Sequence, residues 1–170
     1  IQYFMIYFFS KMYSIKIDPK YNKYQNPKIG LIALASDYMI EKDFINVIKD
    51  KKIDFFVNRI ECFNPLTSEN LIKMSEKITE VTKDILPNEK IDCVVYGCTS
   101  GTIAAGYQSI EKKIKKAKPE AEVTTPSTAS IKALKKLNIN KIAIFTPYPK
   151  KLNDEVIDFF EKENFQITSN

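Results

Sequence analysis

Short β-branched runs alternate with segments of helical period along most of this chain, and that alternation restricts the folds open to it. Ile29-Gly30-Leu31-Ile32-Ala33-Leu34-Ala35, Lys52 to Ile60, Ile91 to Tyr96, Ala121 to Thr125 and Asn140 to Thr146 read as strands, and a sixth starts at Phe165-Gln166-Ile167. Between them the spacing predicts helices over Tyr38 to Lys49, over a long amphipathic stretch carrying Leu71, Met74, Ile78, Val81 and Ile85 and ended by Pro87, over Ile103 to Ile114, over Ser127 to Leu137 and over Lys150 to Glu163. Pro126 suits a helix start. Strand and helix in strict alternation imply an α/β fold, a doubly wound parallel sheet with helices on both faces and right-handed crossovers. The pattern begins at Lys28. Residues 1–27 read as an irregular N-terminal extension whose aromatic run, Ile1 to Phe9, is too short for a membrane span of about 20 residues and lacks the flanks of a signal peptide.

Charge and cysteine usage narrow the function classes. The formal net charge is +5, yet the basic residues include a single arginine, Arg59, and the lysines are spread along helical faces. The densest group, Lys112 to Lys118, closes a predicted helix, where cations oppose the negative end of the dipole, so it reads as a solvated helix end and not as a nucleic-acid surface. Three cysteines without paired spacing suit a reducing compartment, and a cytoplasmic protein is expected. There is no histidine. A Ser-His or Cys-His catalytic pair within this chain is therefore excluded, and the commonest metal ligand is missing.

The stretch Tyr96-Gly97-Cys98-Thr99-Ser100-Gly101-Thr102 joins the third predicted strand to a helical pattern and places a thiol at the joint. In an open α/β sheet ligands bind at the carboxyl ends of the strands, which is where this spacing puts Cys98. Unpaired N–H groups at a helix start favour a thiolate or a carboxylate, and Thr99 and Ser100 add hydroxyl donors while serving as helix caps. Two other strand ends face the same crevice, with Ser36 and Asp37 at one and Thr146 to Tyr148 at the other. Structural roles compete at each position: Cys98 as a packed small hydrophobe, Asp37 as an N-cap, Tyr148 as a turn residue, and Thr125 to Thr128 as helix caps. Cys93, inside its strand, reads as core. Cys62, in the loop Glu61-Cys62-Phe63-Asn64-Pro65, shows no functional signal.

Taken together, Ile29-Gly30-Leu31-Ile32, Val95 to Thr102, Val123-Thr124-Thr125-Pro126-Ser127-Thr128-Ala129 and Ile144-Phe145-Thr146-Pro147-Tyr148 resemble the aspartate/glutamate racemase superfamily, in particular its maleate cis-trans isomerase and ectoine-utilisation (maleate isomerase-like) branch. The resemblance implies two similar α/β lobes with the active site between them and no metal or organic cofactor. Residues 28–125 would then form the first lobe and residues 126–170 the start of a second, truncated before a second catalytic cysteine. It further implies that Cys98 is the nucleophile that adds to the double bond of a small dicarboxylate, with Asp37, Thr99, Ser100 and Tyr148 as substrate-binding residues. Asp37 departs from the asparagine of the maleate isomerases and looks more like the ectoine-utilisation proteins. The alternatives are racemase-like or ectoine-catabolic proton transfer through Cys98, or an α/β fragment that is itself inactive. A small carboxylate substrate and a homodimer are the expected associations, with no nucleic acid and no membrane.

Overall fold

The structure, a computed structural model, describes residues 26–169, so all but the last two residues of the expected extension lie outside it. Four strands build one parallel sheet in the order β2-β1-β3-β4, namely β1 (Lys28–Leu34), β2 (Asp54–Ile60), β3 (Cys93–Tyr96) and β4 (Glu122–Thr124). β1 pairs on one side with β2, from Lys28 opposite Asp54 to Leu34 opposite Ile60, and on the other with β3, from Ile29 opposite Cys93 to Ile32 opposite Tyr96. The strand order reverses between β1 and β3, and their carboxyl ends diverge into a crevice there. A separate parallel pair is formed by β5 (Lys141–Ala143) and β6 (Gln166–Ser169). β5 is shorter than the run Asn140 to Thr146 that the sequence suggested. Past Ala143 one more backbone bond forms, from Ile144 N–H to the Ser169 carbonyl, and Phe145 then stands 99% exposed.

The helices are α1 (Ile40–Ile48), α2 (Ser68–Ser75), α3 (Ile78–Lys83), α4 (Thr99–Ala105), α5 (Tyr107–Ala117), α6 (Pro126–Lys136) and α7 (Lys150–Lys162). Two of the predicted helices are in fact pairs. The stretch from Leu71 to Ile85 breaks after Ser75, where Glu76 and Lys77 donate to carbonyls three residues back and tighten the turn. The apolar spacing runs through that break, so the pattern concealed it. The stretch after Cys98 breaks at Gly106, whose φ of 78° is open to glycine at no steric cost and ends α4 before α5 begins.

The two faces of the sheet are unequally filled. On one, Ile32, Ile60, Val94 and Tyr96 pack with Leu71 and Met74 of α2, Ile78 of α3, Ile110 and Ile114 of α5, and Leu152 of α7. On the other, Leu31, Ala33 and Val95 meet Ile40 and Phe44 of α1, which contributes no fully buried residue. Cys93 belongs to this thinner layer and is only half-buried, so the expectation of a core cysteine is corrected: it is the first residue of β3, at the amino end of an interior strand.

In the basic cluster Lys112, Lys115 and Lys116 are exposed as expected of a solvated helix end, but its last member departs from that reading. Lys118 is buried, and its Nζ donates to the carbonyls of Leu86 (2.7 Å) and Glu89 (2.8 Å), tying the end of α5 to the loop before β3. The capping expected of Thr125 to Thr128 is present as a capping box between Thr125 and Thr128 at the start of α6, with Pro126 in its first turn. α7 packs on α4, and Ser68 donates to Glu155 at 2.6 Å. The β5–β6 unit is thereby fixed beside the crevice.

Candidate functional site at the strand ends

A pocket of about 420 Å³ opens where β1, β2 and β3 end, and Ser36, Asp37, Cys62, Cys98, Thr99, Ser100 and Tyr148 are among its lining residues. All five site residues expected from the sequence, Asp37, Cys98, Thr99, Ser100 and Tyr148, thus meet in one cavity. Thr146 is not part of the wall. Its hydroxyl donates to Asn153 Oδ1 at 2.7 Å and accepts from the Tyr148 N–H at 3.3 Å, which fixes the turn carrying Tyr148.

Cys98 sits at the joint in an unexpected way. The cap of α4 is Cys98 itself, not Thr99 or Ser100: its backbone is extended (φ −134°, ψ 112°) and its sulfur accepts the Gly101 N–H at 3.2 Å. Thr99 and Ser100 already lie within the helix, so they cannot fill the extended cap position. Thr102 reaches back to the Cys98 carbonyl through both its N–H (3.1 Å) and its hydroxyl (2.7 Å). Ser100 Oγ lies 3.9 Å from Sγ, and Ser127 of α6 donates to the Thr99 carbonyl at 3.2 Å. The thiol is 4% exposed yet borders the pocket. Burial pushes it above the ordinary cysteine range. The Gly101 N–H and the Ser100 and Tyr96 hydroxyls pull the other way, and Cys62 adds to the rise.

Asp37 lines the pocket, but its Oδ1 accepts the N–H groups of Met39 (2.8 Å) and Ile40 (3.0 Å) at the start of α1. The capping role weighed for it in the sequence is present. It is also the pocket's single charged lining residue, so among the described residues no lysine or arginine faces an anionic ligand there. Neutral donors remain, including the Thr99 and Ser100 hydroxyls, the Tyr148 phenol and the Asn64 amide. The Asn70 amide nitrogen is taken up by the Pro65 carbonyl at 2.8 Å.

Two contributors carried no signal in the sequence. Cys62 enters the pocket because β2 lies next to β1, which brings the loop after β2 to the same edge; its Sγ is 3.7 Å from Ser36 Oγ. Arg59, at the end of β2, donates through Nη1 to the carbonyls of Leu34 (3.0 Å), Ala35 (3.4 Å) and Asp37, and through Nη2 to Glu41 (2.8 Å). It holds the turn that presents Ser36 and Asp37. Neither role is readable without knowing the strand order. Among the described residues no cluster of three or more histidine, cysteine, aspartate or glutamate side chains is placed to hold a metal, and no helix is long and apolar enough to cross a membrane.

No family model matches the chain. It is 25% identical over 153 residues to the maleate isomerase of Pseudomonas putida, covering 82% of this chain and 60% of that protein. It is 23% identical over 155 residues to the maleate isomerase of Geobacillus stearothermophilus, covering 83% and 61%. The fold matches a cysteine-to-serine variant of Nocardia farcinica maleate cis-trans isomerase bearing a covalently bound succinylcysteine intermediate, with a TM-score of 0.74 at 19% identity, over 85% of this chain and 62% of the other. The chain therefore spans about three fifths of the length of the curated relatives it matches.

Proposed function

From the kinship of this chain with the maleate isomerases in sequence and fold, we propose that it carries the first-lobe half of a cofactor-independent cis-trans isomerase site for a small unsaturated dicarboxylate, with Cys98 as nucleophile. Residues 126–170 belong in this reading to the second lobe, which a complete site requires. The carrying observation is the position of one sulfur: it borders the crevice at the point of strand reversal, accepts a backbone N–H, and shares the pocket with hydroxyls from two other segments.

In the proposed reaction the Cys98 sulfur bonds to one alkene carbon while the other takes up a proton, leaving a thioether of succinate. The former double bond is now single and rotates. Loss of the proton and departure of the sulfur then restore the alkene in the trans form, with the thiol regenerated. Thr99, Ser100 and Tyr148 supply hydrogen bonds to the two carboxylates, which matters because no cation lines the pocket. Asp37 stands at the edge, with Oδ1 turned into the start of α1, which lessens its repulsion of a dianion.

Incubation with maleate followed by intact-protein mass spectrometry and peptide mapping tests this reading. The expected product is one dicarboxylate unit on Cys98, absent from Cys98→Ser. An adduct on Cys62 or Cys93 that persists in Cys98→Ser, or no adduct at all, would overturn it.

A further inference from the structure

Among the described residues one buried side-chain oxygen or nitrogen lacks a hydrogen-bond partner, and it is the hydroxyl of Tyr96. Tyr96 is wholly enclosed at the end of β3, two residues before Cys98. An unpaired hydroxyl in such a place is destabilising, and phenylalanine would fill nearly the same volume without that penalty. The hydroxyl does not point into hydrocarbon. The position that a Cβ on Gly101 would occupy lies 2.7 Å from Tyr96 Oη and 2.8 Å from Cys98 Sγ, so oxygen and sulfur border one small gap that the glycine leaves open.

We propose that Tyr96 is a positioning residue for Cys98, its O–H held beside Sγ and donating to the sulfur whenever that sulfur is anionic. With no lysine, arginine or histidine among the pocket's lining residues, a negative sulfur is stabilised there by dipoles. The Gly101 N–H at 3.2 Å is already engaged, and the Ser100 hydroxyl is distant at 3.9 Å. Tyr96 is the remaining donor, enclosed and unpaired until charge develops on the thiol. Its part in turnover rests on the nucleophile reading above, whereas the interaction between hydroxyl and sulfur does not.

The test uses the full chain with Cys62→Ser and Cys93→Ser, leaving Cys98 as the single thiol, and follows alkylation by iodoacetamide as a function of pH. Adding Tyr96→Phe is expected to slow alkylation several-fold near neutral pH by moving the thiol profile to higher pH, while the limiting alkaline rate stays the same. Urea unfolding of the same variant should show undiminished stability, because an unpaired buried hydroxyl has been removed. Site-specific 3-fluorotyrosine at position 96, a stronger donor of nearly the same size, should move the profile to lower pH. Superimposable profiles for tyrosine, phenylalanine and fluorotyrosine would overturn the proposal. If maleate leaves no adduct on Cys98 while the tyrosine-dependent shift is present, the nucleophile reading fails and the hydroxyl–sulfur interaction stands.

Discussion

The Gly101 N–H donates to the Cys98 sulfur at 3.2 Å, so a backbone group one turn into α4 holds the thiol at the mouth of the crevice. That contact depends on the missing side chain at position 101, since a Cβ there would meet Tyr96 Oη at 2.7 Å and Cys98 Sγ at 2.8 Å. Gly101→Ala is expected to destabilise the chain by about 1–3 kcal/mol, as overpacking does, and to turn the sulfur away from the pocket. Urea unfolding checks the first effect and the rate of Cys98 alkylation the second.

The pH dependence follows from the direction in which burial moves the Cys98 thiol. Its folded value is raised, so the folded chain keeps that proton more tightly than the unfolded chain does. Stability linked to Cys98 is complete below the unfolded thiol value of about 8.5 and is lost as pH climbs through the folded value. Burial raises Cys93 and Tyr96 as well, and they contribute in the same sense. Thermal unfolding should therefore fall on the alkaline side, and Cys98→Ala should lessen that fall; an unchanged alkaline slope in the variant would contradict it.

Arg59 bears on the turn and only slightly on global stability. Its ion pair with Glu41 is about one third exposed on both partners, so Arg59→Ala should alter unfolding free energy by no more than about 1 kcal/mol. The loss should appear locally instead. Hydrogen exchange at the Ala35 and Asp37 amides, now bonded to the Ile60 and Leu34 carbonyls, is expected to accelerate.

Lys118 contributes through two carbonyls. Lys118→Met leaves the Glu89 carbonyl without its ammonium donor and the Leu86 carbonyl with only the Glu89 N–H, and a loss of about 1–3 kcal/mol in denaturant unfolding is expected.

The capping box at α6 offers a smaller effect. Thr125→Ala should cost about 0.5–2 kcal/mol by the same measurement, because the hydroxyl that receives the Thr128 N–H is removed.

The order of strands and helices, and the gathering of Asp37, Cys98, Thr99, Ser100 and Tyr148 at one edge, were legible because apolar period and strand-end position are local properties. What was not legible depends on distance in sequence. Cys62 and Arg59 matter only once β2 is known to lie beside β1, and Lys118 only once the end of α5 meets the Leu86 loop. The breaks after Ser75 and at Gly106 escaped for another reason: the buried positions on either side keep helical spacing, so the pattern continues where the backbone does not. Cys98 as a cap was hidden by habit of composition, since a thiol is a weak acceptor and oxygen side chains usually take that place.

Tyr148 reaches the crevice from the second sheet, which is attached to the first through the packing of α7 on α4. The width of the opening over the sulfur is therefore set at a seam between helices. A change of side-chain volume along that seam, remote from Cys98 itself, would tighten or widen the entrance, and on the proposed function would sort ligands by size.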